Sequence, residues 1–480
     1  MDQSNFLAEE KVSKLLFKFS IPCIASLLIS ALYNIVDQIF IGNSELGYLG
    51  NAATGVVFPI LIITMAFSWC FGDGSAAYLS LCQGRRDTQS AHKCMGTMIT
   101  VTFITSIILI ILFFIFQDPL LKIFGATEDV LDANGNVAIP GSIGLAKQYF
   151  KIVVGALVPY MLTNAMMSVI RADGSPIFAM ISTLSGAIIN IILDPVFIFG
   201  FKWGIEGAAY ATIIGQLVSF VLCAYYFIRK TKSFKLSLKS LIPCFDVFKR
   251  ALGFGISTFI TQLSIVAISL VCNIMLATYG AKSSLVGFDA NIPISAISIE
   301  TKVFTVILNI VVGFILGAQP IIGYNYGAKR YDRVKSVYKL IIFLTLCVGI
   351  VSTLIIELFP EIFVLMFGIN GSDPELYINF AKMTFRIFLS LVTFTCFIKM
   401  SSIFFQAVGR PVSAAISSLL RDIVFFIPLA LILPRFFDLE GVLYASPIAD
   451  FLAMTVAVAL TVNFFKHLNK MEKEGSKTIE

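Results

Sequence analysis

The sequence predicts an all-α integral membrane protein with 12 transmembrane helices in two pseudo-symmetric six-helix lobes. Composition is the first reason: of 480 residues, 58% are hydrophobic and 13% are charged, with a mean hydropathy of +0.90. Soluble domains are about one quarter charged, so this chain has too few charges to cover a water-facing surface. The second reason is that apolar runs repeatedly reach the ~20 residues that cross ~30 Å of hydrocarbon, which excludes a β-barrel.

Gly, Pro and charged residues divide the apolar runs into predicted spans. The first six are residues 15–41, 53–81, 94–116, 147–170, 177–200 and 205–228. The next six are residues 251–279, 288–317, 336–359, 376–406, 412–434 and 440–465. We therefore predict an N-lobe at 1–228, a basic linker at 229–250 and a C-lobe with a tail at 251–480.

Lys and Arg concentrate in the loops after even-numbered spans, most of all in the 229–250 linker. The loop 42–52 after span 1 has no Lys or Arg. Cytoplasmic loops are the ones enriched in cations, so both termini and the linker are expected in the cytoplasm. The charged N-terminus is expected to lead into the first helix and not to be a cleaved signal. These features predict a multi-pass protein of the cytoplasmic membrane.

An internal repeat is the third reason for the predicted fold. The segment 146–152 resembles 381–387, and 172–176 resembles 407–411, both 235 positions apart. Because each half holds six spans, the second starts on the same side as the first, which makes the halves parallel repeats. Such halves typically enclose a central cavity and rock against one another to alternate access.

Two carboxylates interrupt apolar spans in the first half. Asp194 lies one turn after Asn190, so the two share a helix face, and Asp37 lies in span 1. Pro195 cannot donate a backbone hydrogen bond and frees a carbonyl nearby. Because an ionised group at mid-membrane costs a few kcal/mol, such residues usually handle ions or protons. We expect Asp37 and Asp194 to form one cation site.

Further polar residues and one proline accompany this pair, on spans 1 and 6: Pro22, Tyr33, Asn34, Thr212 and Gln216. Carboxylate, amide and hydroxyl oxygens suit a small hard cation, and burying two acids together favours protonation of one of them. Pro22 and Pro195 are expected to bend their helices. The alternative is that the polar groups only hydrogen-bond helices to one another.

The second half serves as an internal control. At an offset of 235 its equivalents of the first-half site residues are apolar or Cys, namely Phe425, Leu429 and Cys272. A scaffold role required by the symmetric fold would appear in both halves, so the asymmetry favours a cation site in the first half alone.

Other charges lie within second-half spans. Glu300 and Lys302 are near the start of span 8 and serve either as anchors or in function. Lys399 is in span 10, and Arg421 and Asp422 are central in span 11. Neighbouring residues do not face each other on an α-helix, so we expect either that Arg421 and Asp422 find separate partners or that one of them faces the cavity. Arg421 is either a cavity residue that matters to transport or part of a structural ion pair.

Signatures of enzymes and of cofactor binding are missing from the sequence. It contains no Walker A, HExxH or GxSxG motif, and its nine cysteines include no CxxC pair. We expect no enzymatic activity, no cofactor other than H+ or Na+ as a coupling ion, and no nucleic-acid partner.

Three motifs together resemble the multidrug and toxic compound extrusion (MATE) family, in its bacterial DinF-like branch with the MepA-type pumps. They span residues 31–42, 190–195 and 319–329, and the resemblance extends over almost the whole chain. It implies a V-shaped MATE fold and an antiporter that exports organic cations in exchange for Na+ or H+. We expect such a protein to function as a monomer in the lipid bilayer.

The resemblance also implies residue roles. Asp37, Asn190, Asp194 and Thr212 match the N-lobe coupling site of that branch, and Tyr149 matches a nearby tyrosine of helix 4. Asn164 in span 4 and Lys399 and Arg421 in the second half are further cavity or gating candidates. The alternative function is a flippase or exporter of a lipid-linked or anionic precursor, for which Arg421 and Lys399 would supply cationic charge.

Overall fold

The computed structural model describes residues 7, 9–126, 130–131, 137–139, 141–235, 238–280, 291–366 and 374–477. In the first half the helices are α1 Val12–Gly42, α2 Gly47–Arg85, α3 Thr88–Ile115, α4 Gln117–Ile123, α5 Ile143–Gly155, α6 Leu157–Ala172, α7 Pro176–Pro195 and α8 Gly204–Arg229. A π-helical turn, Val196–Gly200, follows α7, and a 3-10 turn, Leu238–Leu241, lies in the linker.

The second half contains α9 Phe245–Gly280, α10 Asn291–Gly327, α11 Tyr331–Leu358, α12 Pro360–Met366, α13 Pro374–Phe388, α14 Val392–Ala407, α15 Pro411–Leu419, α16 Ile427–Ile432 and α17 Pro434–Lys477. A π-helical segment, Leu420–Phe426, joins α15 to α16. Within α17 the backbone leaves helical geometry at Phe437 and Asp438.

Ten helices in the described part of the chain are long and apolar enough to cross a membrane. Two further spans are bent pairs, α5 with α6 at 57° and α13 with α14 at 47°, which brings the number to 12. These elements correspond one to one with the predicted spans. The second helices of the bent pairs begin at Leu157 and Val392, which are 235 positions apart, the same offset as the sequence repeat.

A short hairpin lies in the loop before α5. Strand β1, Val130–Leu131, pairs antiparallel with β2, Val137–Ile139. Residues 127–129, 132–136 and 140 of the long 126–145 loop lie outside the described residues. The loop has no assigned role.

The chain forms two compact units. The N unit is Ala25–Gln262, and the C unit is Met1–Ile24 together with Leu263–Glu480. These units differ from the predicted lobes at both boundaries, because the start of α1 packs in the C unit and the start of α9 packs in the N unit. The units describe packing, and the predicted division of the repeat at the 229–250 linker stays a prediction.

Small residues explain why the start of α1 packs in the C unit and the start of α9 packs in the N unit. In the C unit a Cβ at Gly317 would lie 2.5 Å from the backbone of Ser20, and the Ser20 hydroxyl donates to the Phe314 carbonyl at 3.0 Å. In the N unit a Cβ at Gly255 would overlap the carbonyl of Cys70. Gly255 stands 235 positions after Ser20, so the same kind of close helix approach occurs in each unit.

The basic linker is fastened to the N unit through Asp173. Its carboxylate accepts hydrogen bonds from the Tyr226 hydroxyl at 2.7 Å, the Lys232 amide at 2.8 Å and the Ser233 amide at 2.9 Å. Farther along the linker, the Thr100 hydroxyl donates to the Leu241 carbonyl at 2.6 Å. The described part of the linker is therefore docked, although its composition alone would suit a free segment.

Replacing Asp173 with Asn is expected to loosen this docking by ~1–3 kcal/mol, because an amide NH2 would face at least one N–H donor. The measurement is limited trypsin cleavage after Lys230, Lys232 and Lys235, which should become several-fold faster. Asp246→Asn, at an exposed residue of α9, is the matched control and should leave cleavage unchanged. Equal cleavage rates in the two variants would contradict the docking role.

Candidate cation site

Helices α1 and α7 bring the two predicted carboxylates together in the N unit. Asp194 is fully buried, Asn190 is 2% exposed and Asp37 is 9% exposed. The side chains of Asp37 and Asp194 lie within hydrogen-bonding reach of each other. The Asn190 amide donates to Asp194 Oδ1 at 3.2 Å, as expected for residues one helical turn apart.

Three oxygens of this cluster have no hydrogen-bond partner among the described residues. They are Asp37 Oδ1, Asn190 Oδ1 and Asp194 Oδ2, and all three are buried. Across the described chain no ion pair involves either aspartate. A buried polar atom without a partner costs ~1–3 kcal/mol, more when it is charged. The cluster can therefore gain free energy by taking up a proton or a cation.

A second layer of polar side chains surrounds the pair. The Tyr33 hydroxyl lies within hydrogen-bonding reach of Gln216, and the Tyr149 hydroxyl lies within reach of Thr212. Asp37 interacts electrostatically with both tyrosines. The site thus draws on four helices, α1, α5, α7 and α8.

Two glycines set the distance between α7 and α8. A Cβ at Gly186 would lie 2.6 Å from the carbonyl oxygen of Gly215, and the reverse distance is also 2.6 Å. Near this crossing the Ser219 hydroxyl donates to the Ser182 carbonyl at 2.9 Å. Asn190 is one turn beyond Gly186 and its Cβ lies 3.2 Å from a Cβ built at Gly215, so this close approach positions the amide of the site.

Gly186→Ala and Gly215→Ala are each expected to destabilise the protein by ~1–3 kcal/mol, because the added methyl group overlaps backbone atoms that cannot move independently. Thermal unfolding of the purified protein is the measurement. Gly55→Ala is the control, since a Cβ at that helical glycine meets nothing within 4 Å. It should leave stability unchanged or slightly higher. Equal melting temperatures for all three variants would argue against the tight crossing.

The two prolines differ in their local structure. At Pro195 the α-helical pattern ends and the π-helical turn Val196–Gly200 begins, as expected where a residue lacks its N–H. Pro22, in contrast, lies inside α1, which continues without interruption from Val12 to Gly42. A functional bend at Pro22 stays a prediction.

Three of the other candidates have contacts away from the carboxylate pair. Asn34 is exposed and donates to the Ser30 carbonyl at 2.7 Å on its own helix. Asn164 donates to the Tyr160 carbonyl at 2.9 Å, also on its own helix. Lys302 is exposed on α10. Asn34 also lies within hydrogen-bonding reach of Tyr33, which interacts electrostatically with Asp37.

Lys399 and Arg421 belong to an ion network in the C unit. Lys399 Nζ lies 3.0 Å from Asp422, Arg421 Nη1 lies 3.0 Å from Asp422, and Arg421 Nε lies 2.8 Å from Asp450. Arg421 and Asp422 do find separate partners, Asp450 and Lys399, but they also pair with each other, which the sequence reasoning did not expect. Both are in the π-helical segment Leu420–Phe426, where the α-helical spacing that separates neighbouring side chains does not hold.

Asp450 is a residue that the sequence reasoning missed. It is buried and lies near the middle of predicted span 12, so the rule that identified Asp37 and Asp194 would have identified it too.

The donor set of the N-unit site can be tested against possible ions. Two carboxylates, an amide oxygen and a hydroxyl are hard oxygen ligands that fit Na+, and the carboxylate pair fits H+ equally. Nowhere in the described ranges do three or more His, Cys, Asp or Glu gather in a metal-binding group.

The fold and the site together define a multi-pass helical membrane protein with a buried acidic pair in one of its two units. The chain belongs to the MatE family, whose model matches residues 22–196 and again 257–432. This membership confirms the resemblance inferred from the motifs.

Individual relatives extend over nearly the whole chain. The multidrug export protein MepA of Staphylococcus haemolyticus (strain JCSC1435) is 26% identical over 96% of this chain and 96% of its own length. The protein of the same description in Staphylococcus aureus (strain MSSA476) is 25% identical, with 96% and 95% covered.

Solved structures agree in fold. A MATE crystal structure in the bent conformation has a TM-score of 0.85 at 21% identity and covers 98% of this chain and 99% of its own. A MOP superfamily transporter from Pyrococcus furiosus has a TM-score of 0.86 at 20% identity, with 98% and 99% covered. The predicted all-α membrane fold is confirmed by this likeness.

Proposed function

We propose that this protein is a multidrug exporter of the cytoplasmic membrane that exchanges small lipophilic cations for H+ or Na+. The observation that carries the proposal is the buried pair Asp37 and Asp194, which has unpartnered oxygens and no basic partner among the described residues. Family membership and the relatives described as multidrug export proteins support the transport class and argue against an enzyme.

The coupling follows from charge. Without a bound cation, two ionised carboxylates repel each other and attract a positive ligand. A proton shared between Asp37 and Asp194 removes that repulsion, since the two side chains are within hydrogen-bonding reach and a carboxylate pair has no hydrogen of its own. If Na+ is the coupling ion, the three unpartnered oxygens and the Thr212 hydroxyl would bind it.

In the proposed cycle, cation entry from outside neutralises the pair and weakens its attraction for a positively charged substrate. The substrate then leaves outward. Substrate binding from the cytoplasm favours the deprotonated or Na+-free pair and completes the exchange. Tyr33 and Tyr149 add aromatic faces beside the acids, which suits flat organic cations.

We further infer that the two halves are parallel repeats that alternate access while one of them holds the coupling site. Support comes from the family model, which matches each half, and from the bent helix pairs that are spaced by 235 positions. The cation-rich linker and tail support cytoplasmic termini. A monomer is the proposed functional form.

A flippase or exporter of a lipid-linked or anionic precursor is the second candidate. One structure with this fold is described as having a binding pocket of reverse polarity that suggests a different function. In this chain, however, Lys399 and Arg421 are each paired with an aspartate, so neither offers an uncompensated positive charge. That pairing favours the exporter of cations.

Purified protein in proteoliposomes loaded with ethidium provides the test. An imposed H+ gradient, an imposed Na+ gradient and no gradient are compared, with the corresponding ionophore as control. We expect ethidium movement with one of the gradients and its loss when the ionophore dissipates it. Ethidium movement that ignores both gradients, in protein shown to be folded and inserted, would refute cation coupling.

A further inference from the structure

Five ionisable side chains meet in the C unit, contributed by four parts of the chain. Glu300 is on α10, Lys399 on α14, Arg421 and Asp422 in the π-helical segment, and Asp450 on α17. All but Lys399 are buried. Four of them are joined by the ion pairs described above, whereas the described residues include no ion pair to Glu300.

The charges of these four residues cancel. Two cations, Lys399 and Arg421, are matched by the two aspartates to which they are hydrogen-bonded. An ionised Glu300 would add one uncompensated negative charge in the membrane interior, where a charge without a partner is expensive.

Hydrogen bonding does not compensate Glu300 either. Its side chain is 1% exposed, and Oε1 has no hydrogen-bond partner within the described ranges. Its Oε2 lies 3.4 Å from the Thr301 hydroxyl, but that hydroxyl donates its single hydrogen to the Ile297 carbonyl at 2.8 Å. The carboxyl group therefore receives no good donor.

The groups that face Glu300 come from several elements. Arg421 and Asp450 act on it electrostatically, and it acts in turn on Cys272 of α9. Arg421 has one weakly used donor, Nη2, whose contact with the Ser446 hydroxyl is 3.5 Å long. A deprotonated Glu300 would compete with Asp450 for this guanidinium.

We propose that Glu300 is a proton-binding site of the C unit, and that gain and loss of its proton changes which carboxylates Arg421 binds. The proton comes from water and returns to water, so the ligand is H+ alone. The site does not depend on the proposed function of the Asp37 and Asp194 pair, because proton binding can be measured without transport.

Infrared difference spectroscopy of the purified full-length protein tests this site. At pH values near neutral, above the range in which exposed carboxyl groups are protonated, a rise in pH should remove a carbonyl-stretch band of Glu300 in addition to any band from Asp37 and Asp194. Glu300→Gln is close in shape and should lose that band. Glu375→Gln, at an exposed glutamate of the same unit, should keep it. An unchanged band in folded Glu300→Gln would overturn the proposal.

A second measurement needs no variant. Glu300 is the one buried glutamate in the described part of the chain, so protein labelled with 13C-glutamate reports on it selectively at pH values where exposed glutamates are ionised. The neutral-range band should shift with the label, whereas bands from Asp37 and Asp194 should not. A neutral-range spectrum without any label-sensitive carboxylic band would refute a proton on Glu300 and leave the aspartate site unaffected.

Discussion

Asp194→Asn is expected to reduce gradient-driven ethidium efflux to the level of protein-free liposomes, and Asp37→Asn is expected to do the same. The physical reason is that Asn cannot exchange a proton and carries no charge for Na+, so the remaining single carboxylate cannot couple the gradient to substrate release. Nearly unchanged side-chain shape keeps the helix packing intact.

Folding provides the internal check on this result. Each variant removes a buried charge that has no basic partner in the described residues, so stability should be unchanged or slightly higher. Asp246→Asn, at the exposed start of α9, is the matched control and should transport normally. Normal gradient-driven efflux by both site variants would contradict the proposed coupling. Loss of folded protein would instead indicate a structural role for the pair.

Arg421→Met is expected to cause the largest loss of stability, ~3–5 kcal/mol, because it leaves Asp450 buried without its partner and Asp422 with Lys399 alone. Unfolding can be followed with a thiol-reactive dye, since seven cysteines are buried in the folded chain. The double variant Arg421→Met with Asp450→Asn should recover a large part of the lost stability, because the unpaired Asp450 carboxylate is removed.

Lys382→Met is the control for that experiment. Lys382 pairs with Glu361 at 3.0 Å, but the two side chains are 28% and 53% exposed, so the loss should stay within about 1 kcal/mol. Equal losses at Arg421 and Lys382 would contradict the view that burial makes the C-unit network important.

Much of the fold was predictable because the signal is local. Each span is marked in the sequence by a long apolar run. The 12 predicted spans appear as ten helices and two bent helix pairs in the described chain. The contact between Asn190 and Asp194 was also predictable, since residues one turn apart share a helix face. The roles of the site residues stay predictions until transport is measured.

The break at Ala156 and the π-helical segment around Arg421 were not predictable from hydropathy, because changes in helix geometry leave the apolar pattern unchanged. The start of α1 packs in the C unit and the start of α9 packs in the N unit, and both depend on glycines that allow close helix approach. In the sequence these glycines look like ordinary helix residues, because the neighbouring backbone is not visible there.

The sequence by itself determined the membrane class, the number of spans and the presence of costly acids, because burial in hydrocarbon selects residue types one position at a time. Tertiary structure alone decided which acids meet. Asp37 and Asp194 come from helices far apart in the chain, and among the described residues Arg421 forms ion pairs whereas Glu300 forms none. These contacts depend on how helices pack and not on the composition of any one helix.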